Sequence, residues 1–487
     1  FGLGDTHAFS LAAGRYASDN DFRYHDDRQT PTYSGDDQWV TRSNADFEQR
    51  HLLGQWLWEP DSPLTLSTRL LYQDIDRGVP GLQRDPAQHA RFESDSLQGQ
   101  LKVDYDDLLG LRLWGQMEER RFDDPEDEAG RTGRQKTQSD IDRWGTALTY
   151  EPVTGPVLTH VQVDYRQERF TTSDAYDEAA QTPPSQRDRV GIGLEPEIML
   201  LNETMWLVPR VHYAYIRDDL QKTSIRFAGD SVAAEDRVER SLWTYQLGWR
   251  YQPVTPLTIR ANAGVYTRAP KFNELFGDDG DMVGNPDLEE EGSTNLDMGL
   301  HLDLAAHDLE IDLAYFYRVS DDLIQKRDYG DYMIYENIAS SEVSGIECWL
   351  QKHALDERLW LRLDLTYQRP INTSDDTAFR RDRYYGNDLP YHPRWLISGT
   401  LAHTPIAWAT LTWSSRYESE SYRGPSNLND EKLDARTIHD TALKLALGER
   451  WELLLEVANV TDEDAVDFWG YPRPGRAYYG TIRLRLP

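Results

Sequence analysis

The chain has 487 residues, and 84 aspartates and glutamates against 52 lysines and arginines give it a formal net charge of −32. That balance argues against nucleic acid and against anionic surfaces as partners. One cysteine, Cys348, leaves no intrachain disulfide and no cysteine-based metal site.

Apolar runs extend for only a handful of residues, so no transmembrane helix is encoded. A mean hydropathy of −0.71 does not exclude a β-barrel, whose lumen and loops are wet and whose lipid-facing band is short. The 27 tyrosines and 15 tryptophans suit interfacial girdles, where an apolar ring carries a polar tip.

In chain order, a first strand is expected near Thr6 to Tyr16, then a polar stretch from Ala17 to Ala45 carrying Asp19, Asp21, Asp26, Asp27, Asp36 and Asp37. A second strand, Phe47 to Trp58, meets the tight connection Glu59 to Pro63. Further on, Leu97, Gly99, Leu101, Val103 and Tyr105 alternate with Gln98, Gln100, Lys102 and Asp104, a period of two with one oily face. The pattern recurs at Leu257 to Val265, Leu296 to Leu304 and Leu309 to Tyr317. Brief connections near Asp106, Pro152 to Pro156, Asn202, Pro253 to Pro256, Ala306, Ala354 to Glu357, Thr404-Pro405 and Gly448 alternate with long polar ones. A minor hairpin is expected within Leu323 to Ile338.

Propellers repeat at a near-constant period, which is missing here, and sandwiches need no alternation of long and short connections. The reading is therefore all-β: a large antiparallel transmembrane β-barrel of about 20 strands, with short turns at one end and long loops at the other. Cys348 shares parity with Ile346 and Leu350, which predicts a small apolar residue facing lipid.

The stretch after Val265 is the sharpest family evidence. Arg268-Ala269-Pro270-Lys271-Phe272-Asn273-Glu274-Leu275-Phe276, then Gly284-Asn285-Pro286-Asp287-Leu288 and Glu291-Gly292-Ser293, resembles a framework segment of TonB-dependent outer-membrane receptors and transporters. Leu389-Pro390-Tyr391-His392-Pro393-Arg394, Asn459 to Glu463, and Gly470-Tyr471-Pro472-Arg473-Pro474-Gly475-Arg476 are similar to later segments of that family. Leu486 stands where many outer-membrane proteins carry a terminal aromatic.

The resemblance implies a single barrel domain over residues 1–487 in the outer membrane of a Gram-negative bacterium, against outer-membrane lipid. It implies uptake of a scarce ligand, such as a siderophore, another metal chelate or cobalamin, and no catalysis. Family barrels have about 22 strands, so the plug domain, the box that TonB grasps and a first hairpin are expected to be missing from this chain. The chain opens at Phe1 with no visible signal peptide, as expected of a processed chain or the later part of a longer one. Implied partners are a plug, whether on the same or a separate chain, and the TonB-ExbB-ExbD system. A plugless passive channel favouring cations is the alternative, and a soluble β-rich carbohydrate-binding protein or glycosidase a remote one.

Loop aromatics are the candidate ligand contacts: Tyr24, Tyr33, Trp39, Phe272, Tyr332, Tyr335, Tyr384 and Tyr385, each of which could equally be loop packing. Asp278, Asp279 and Asp281 could supply oxygens to calcium, although a solvated acidic loop needs no ion, and no cofactor is required. Acidic pairs suited to glycoside hydrolysis arise by chance among 84 carboxylates. His25, His301 and His392 are too dispersed for a zinc site.

Overall fold

A computed structural model describes residues 6–26, 35, 37–83, 85–129, 133–176, 184–223, 233–276, 282–328, 333–374 and 384–485. Nearly all of the regular structure is strand. One sheet has 22 members, two of which are the two-residue pieces Val153–Thr154 and Met282–Val283, leaving twenty long strands from His7–Ser18 to Ala477–Leu484. Each long strand pairs antiparallel with its neighbour in sequence. None of the helices is long and apolar enough to cross a membrane, which leaves the strands to do so.

The predicted alternation decides which face is which. Along Leu257–Arg268 and Glu291–Leu304 the paired residues Ile259 and Leu300, and Ala261 and Met298, share one face, while Asn262 and Asp297 share the other. Leu300 is 44% exposed and Met298 55%, so the oily face is the outer one. Cys348 pairs with Leu313 on that outer face, as its parity predicts. On Gln135–Tyr150 the outward rings Trp144 and Tyr150 are six residues apart, about 20 Å of strand. That spacing brackets an apolar band of roughly the height a barrel needs.

At one end the strands join by short turns with left-handed positions, some on glycine or aspartate, as at Gly155, Gly448, Asp106 and Asp308, and others on bulkier residues, as at Leu201 and Leu355. Thr404-Pro405 is not the turn expected there. The strand Trp395–Ile406 continues through a register shift between His403 and Ile406, and the turn falls at Ala407-Trp408. Pro405 brings no N–H to the ladder, and a bulge accommodates that without ending the strand. The minor hairpin is likewise a continuation. Leu323 pairs with Ile338 and Asp328 with Met333, prolonging Leu309–Asp328 and Met333–Ala354 beyond the wall.

The other end carries the long loops, and these tie to one another. Arg42 Nη2 donates to Gly81 O at 2.7 Å, and Gln83 N donates to Gly470 O at 2.8 Å. The Tyr391 and Phe468 rings are 4.7 Å apart, and Tyr391 N donates to Tyr422 O at 2.7 Å. First and last loops are thus joined. Below them lies a seam: among the described residues, His7–Ser18 pairs only with Phe47–Trp58, and Ala477–Leu484 only with Trp451–Ala458. Leu11 is 75% exposed and Tyr478 and Ile482 are each 71%.

Candidate ligand-capture site at the loop end

The framework segment does not hang in solvent. After Arg268 the chain turns inward, forms one helical turn, Phe272–Phe276, and packs into the mouth of the barrel. Leu275 and Leu288 join Leu220, Ile324 and Tyr335 in one buried cluster, and Phe272 joins Ile141 and Phe170 in another. These wall positions lie at the loop ends of their strands, so the segment narrows the lumen from above.

Charge fixes it there. Asp218, fully buried, accepts from Arg187 Nε and Nη2 at 2.6 and 2.8 Å and from Arg240 Nη1 at 2.7 Å. The spare donors of both guanidiniums reach the segment's backbone: Arg187 Nη1 donates to Pro270 O at 2.6 Å and Arg240 Nη2 to Leu288 O at 3.0 Å. The Arg187 guanidinium also sits 5.1 Å from the Phe272 ring centroid. A planar, permanently charged fork is suited to holding one carboxylate and one carbonyl together.

Within the segment, Arg268 Nη1 donates to Glu274 Oε2 at 2.8 Å, and the same oxygen accepts from Lys271 N at 2.7 Å. Asn285 Nδ2 donates to Tyr335 O at 2.9 Å. The motif residues Arg268, Pro270, Phe272, Glu274, Leu275, Asn285 and Leu288 therefore each make a contact that holds this plug-like turn in place. Ala269 packs beside Ala214, Ile216 and Leu242. Gly284 and Pro286 are half-buried between the short piece Met282–Val283 and Leu288. The partners Arg187, Asp218 and Arg240 escaped sequence reasoning. Their signal is parity: each falls on a lumen-facing position near the loop end of adjacent strands.

The candidate ligand aromatics divide by burial. Tyr24, Phe272 and Tyr335 are buried at 5, 5 and 7% exposure, packed by protein. Trp39 and Tyr385 are both 56% exposed, and Tyr384 is half-buried. Arg23 lies 5.8 Å from the Trp39 ring and His25 stands edge-on to it at 5.5 Å, which holds that indole outward. Tyr33, Tyr332, Asp278, Asp279 and Asp281 lie outside the described residues. Among the described residues no group of three or more His, Cys, Asp or Glu side chains is arranged to hold a metal ion.

In the loops, the Glu128 carboxylate accepts from Gln88 N at 2.8 Å and from His89 N at 2.6 Å. Desolvation raises its pKa, but these backbone donors and the His89 ring outweigh that and hold it below the usual carboxylate range.

A β-barrel with an oily exterior, a polar lumen and a mouth narrowed by a docked segment defines a class of outer-membrane receptor. A family model described as "TonB dependent receptor-like, beta-barrel" matches residues 1–460, and the chain belongs to that family. It is 27% identical over 250 residues to the vitamin B12 transporter BtuB of Photobacterium profundum, covering 50% of this chain and 38% of that protein. It is 22% identical over 279 residues to BtuB of Vibrio vulnificus, covering 56% of this chain and 41% of the other. The matches thus span about two fifths of these relatives' length. Among solved structures, the copper transporter OprC superposes with a TM-score of 0.78 at 15% identity, covering 98% of this chain and 76% of that one. The ferric yersiniabactin uptake receptor FyuA from Yersinia pestis gives 0.74 at 13%, covering 99% and 76%. At such identities the superpositions establish the fold.

Proposed function

We propose that this chain is the barrel of an outer-membrane transporter that captures a scarce ligand, cobalamin or a metal chelate, at its loop end and imports it with energy from the TonB system. The observation that carries this reading is the mouth. Bound loops surround an entrance narrowed by residues 269–276 and 284–288, and the outward-held rings Trp39 and Tyr385 offer stacking surface to a large ligand. Affinity for cobalamin is favoured by the BtuB relatives, and a metal chelate by the titles of the structural neighbours.

The lumen wall bears both signs of charge. Asp297, Asp312 and Asp364 lie on one sector and Arg69, Arg112 and Arg166 on another, which does not suit the cation-favouring channel. The test is uptake of labelled cyanocobalamin and of a labelled ferric siderophore by cells producing the protein, with and without functional TonB. Uptake of one of the two, lost without TonB, is the expected result. Equal entry of unrelated solutes in both strains overturns the reading in favour of a passive channel.

A further inference from the structure

The polar loop between His7–Ser18 and Phe47–Trp58 folds part of itself into a small hairpin, Arg23–Asp26 against Gln38–Thr41. Strand alternation gives it two faces. One is buried: Tyr24 is 5% and Asp26 2% exposed, and Gln83 Nε2 donates to Asp26 Oδ1 at 2.8 Å. Arg42 N donates to Phe22 O at 2.9 Å, which ties the base of the hairpin to the following stretch of loop. The hairpin is therefore a fixed mount on the loop ring, built wholly from residues beyond the ends of the wall strands.

The other face carries Arg23, His25, Trp39 and Thr41, all exposed. His25 is the direct cross-strand partner of Trp39, and Arg23 that of Thr41, so Arg23 lies diagonal to the indole. Its guanidinium is 5.8 Å from the indole centroid, yet more than half of the Trp39 surface stays open. Among the described residues Arg23 has no carboxylate partner, and the Asp37 carboxylate stands 3.8 Å from His25 Nε2, at the outer limit of an ion pair. In a chain of net charge −32, this exposed indole thus has two basic side chains beside it. An indole alone stacks on any flat ring, whereas an indole next to a guanidinium favours a ring that bears negative charge.

We propose that this face is a specificity subsite of the capture mouth, and that it takes a flat ring bearing an anionic oxygen. The ring stacks on Trp39, the oxygen meets the Arg23 fork, and His25 supplies a further donor. The assignment rests on the capture function proposed above and names the chemistry that capture selects. Two of the ligand classes in question carry such a group: a ferric catecholate, whose ring oxygens are anionic, and cobalamin, whose benzimidazole is tied to a phosphodiester. A neutral hydroxamate chelate has none, and cobinamide lacks the nucleotide that supplies it.

The test is surface binding to cells that produce the protein and lack functional TonB, at fixed ionic strength. Four labelled probes are used in two matched classes: ferric enterobactin against the neutral hydroxamate ferrichrome, and cyanocobalamin against dicyanocobinamide. Within the class that binds, the ring-anion member is expected to bind at least about 10-fold tighter than its counterpart. That class assigns the catecholate or the phosphodiester as the anionic source. Arg23→Gln should remove most of the preference and leave the counterpart's binding unchanged, and Arg23→Lys, which keeps the charge and loses the fork, should fall between. Trp39→Ala should weaken both members. Arg358→Gln removes the same charge from a short turn and should change neither. Heat-modifiable electrophoretic mobility reports folding of each variant. The subsite is overturned if a neutral counterpart binds as tightly, if folded Arg23→Gln keeps the full preference, or if Arg358→Gln loses as much of it. Binding of none of the four is a different result, which overturns capture itself and the subsite with it.

Discussion

Arg187 and Arg240 at the loop end and Arg69 and Arg112 on the turn-side wall are the same residue type on the same sheet, set in opposite surroundings. The first pair is 4 and 6% exposed, with a buried carboxylate between them and carbonyls on their remaining donors. The second pair is exposed on the lumen wall and has neither among the described residues. Burial with complete pairing makes a lock, whereas an exposed guanidinium with no acidic partner among the described residues fixes nothing in place. The comparison breaks most violently at Asp218. Asp218→Ala strands two buried guanidiniums, a change that costs roughly 3–5 kcal/mol in comparable buried pairs. A large drop in the urea midpoint in detergent is expected, with Pro270 and Leu288 released from the wall. An unchanged midpoint would mean that the mouth is held by apolar packing alone.

A smaller effect sharpens the same contrast inside the segment. Glu274→Ala deprives Arg268 Nη1 and Lys271 N of their shared acceptor, while Arg268 keeps Glu291 through its Nε. Lys271 is exposed and Arg268 half-buried, so the loss falls at the low end of the cost of an unsatisfied donor, about 1 kcal/mol. Because the barrel strands do not depend on Glu274, the loss should be local. Amide exchange should quicken in residues 269–276 and stay unchanged in Leu257–Val265. Faster exchange throughout the barrel would show that the segment supports the wall as well as narrowing the mouth.

The fold was legible because its two signals are local. Period-two alternation at Leu97 to Tyr105 and Leu296 to Leu304 sets the outer face, and prolines or glycines mark several of the short turns, such as Pro152 to Pro156 and Gly448. Thr404-Pro405 misled because a proline can equally sit in a bulge. The site was less legible because burial of a loop residue depends on partners far away in sequence. Nothing near Phe272 announces Ile141 and Phe170, which cover it, and nothing near Pro270 announces Arg187, 83 residues earlier. Tyr24 and Tyr335 looked like ligand contacts for the same reason. Trp39 and Tyr385 could be separated from them only once burial was known.

The weakest expected effect concerns the loop ring. Glu128 caps the backbone N–H groups of Gln88 and His89 and so ties the loop at residues 85–90 to the loop at residues 125–129. Its pKa is lowered in the folded protein, so its contribution to stability is fully present above the unfolded carboxylate value of about 4.3. It is lost as pH falls from there through the folded value, because the proton then binds the unfolded state more readily. Glu128→Gln should therefore lower the urea midpoint at pH 6 by a small amount and flatten the decline between pH 6 and pH 3 relative to the native chain. Many other carboxylates titrate over the same range, so only the difference between the two curves carries the information. Parallel curves would show that the two loops are held together without the Glu128 charge, and that exposed caps at this end, unlike the buried Asp218, are dispensable.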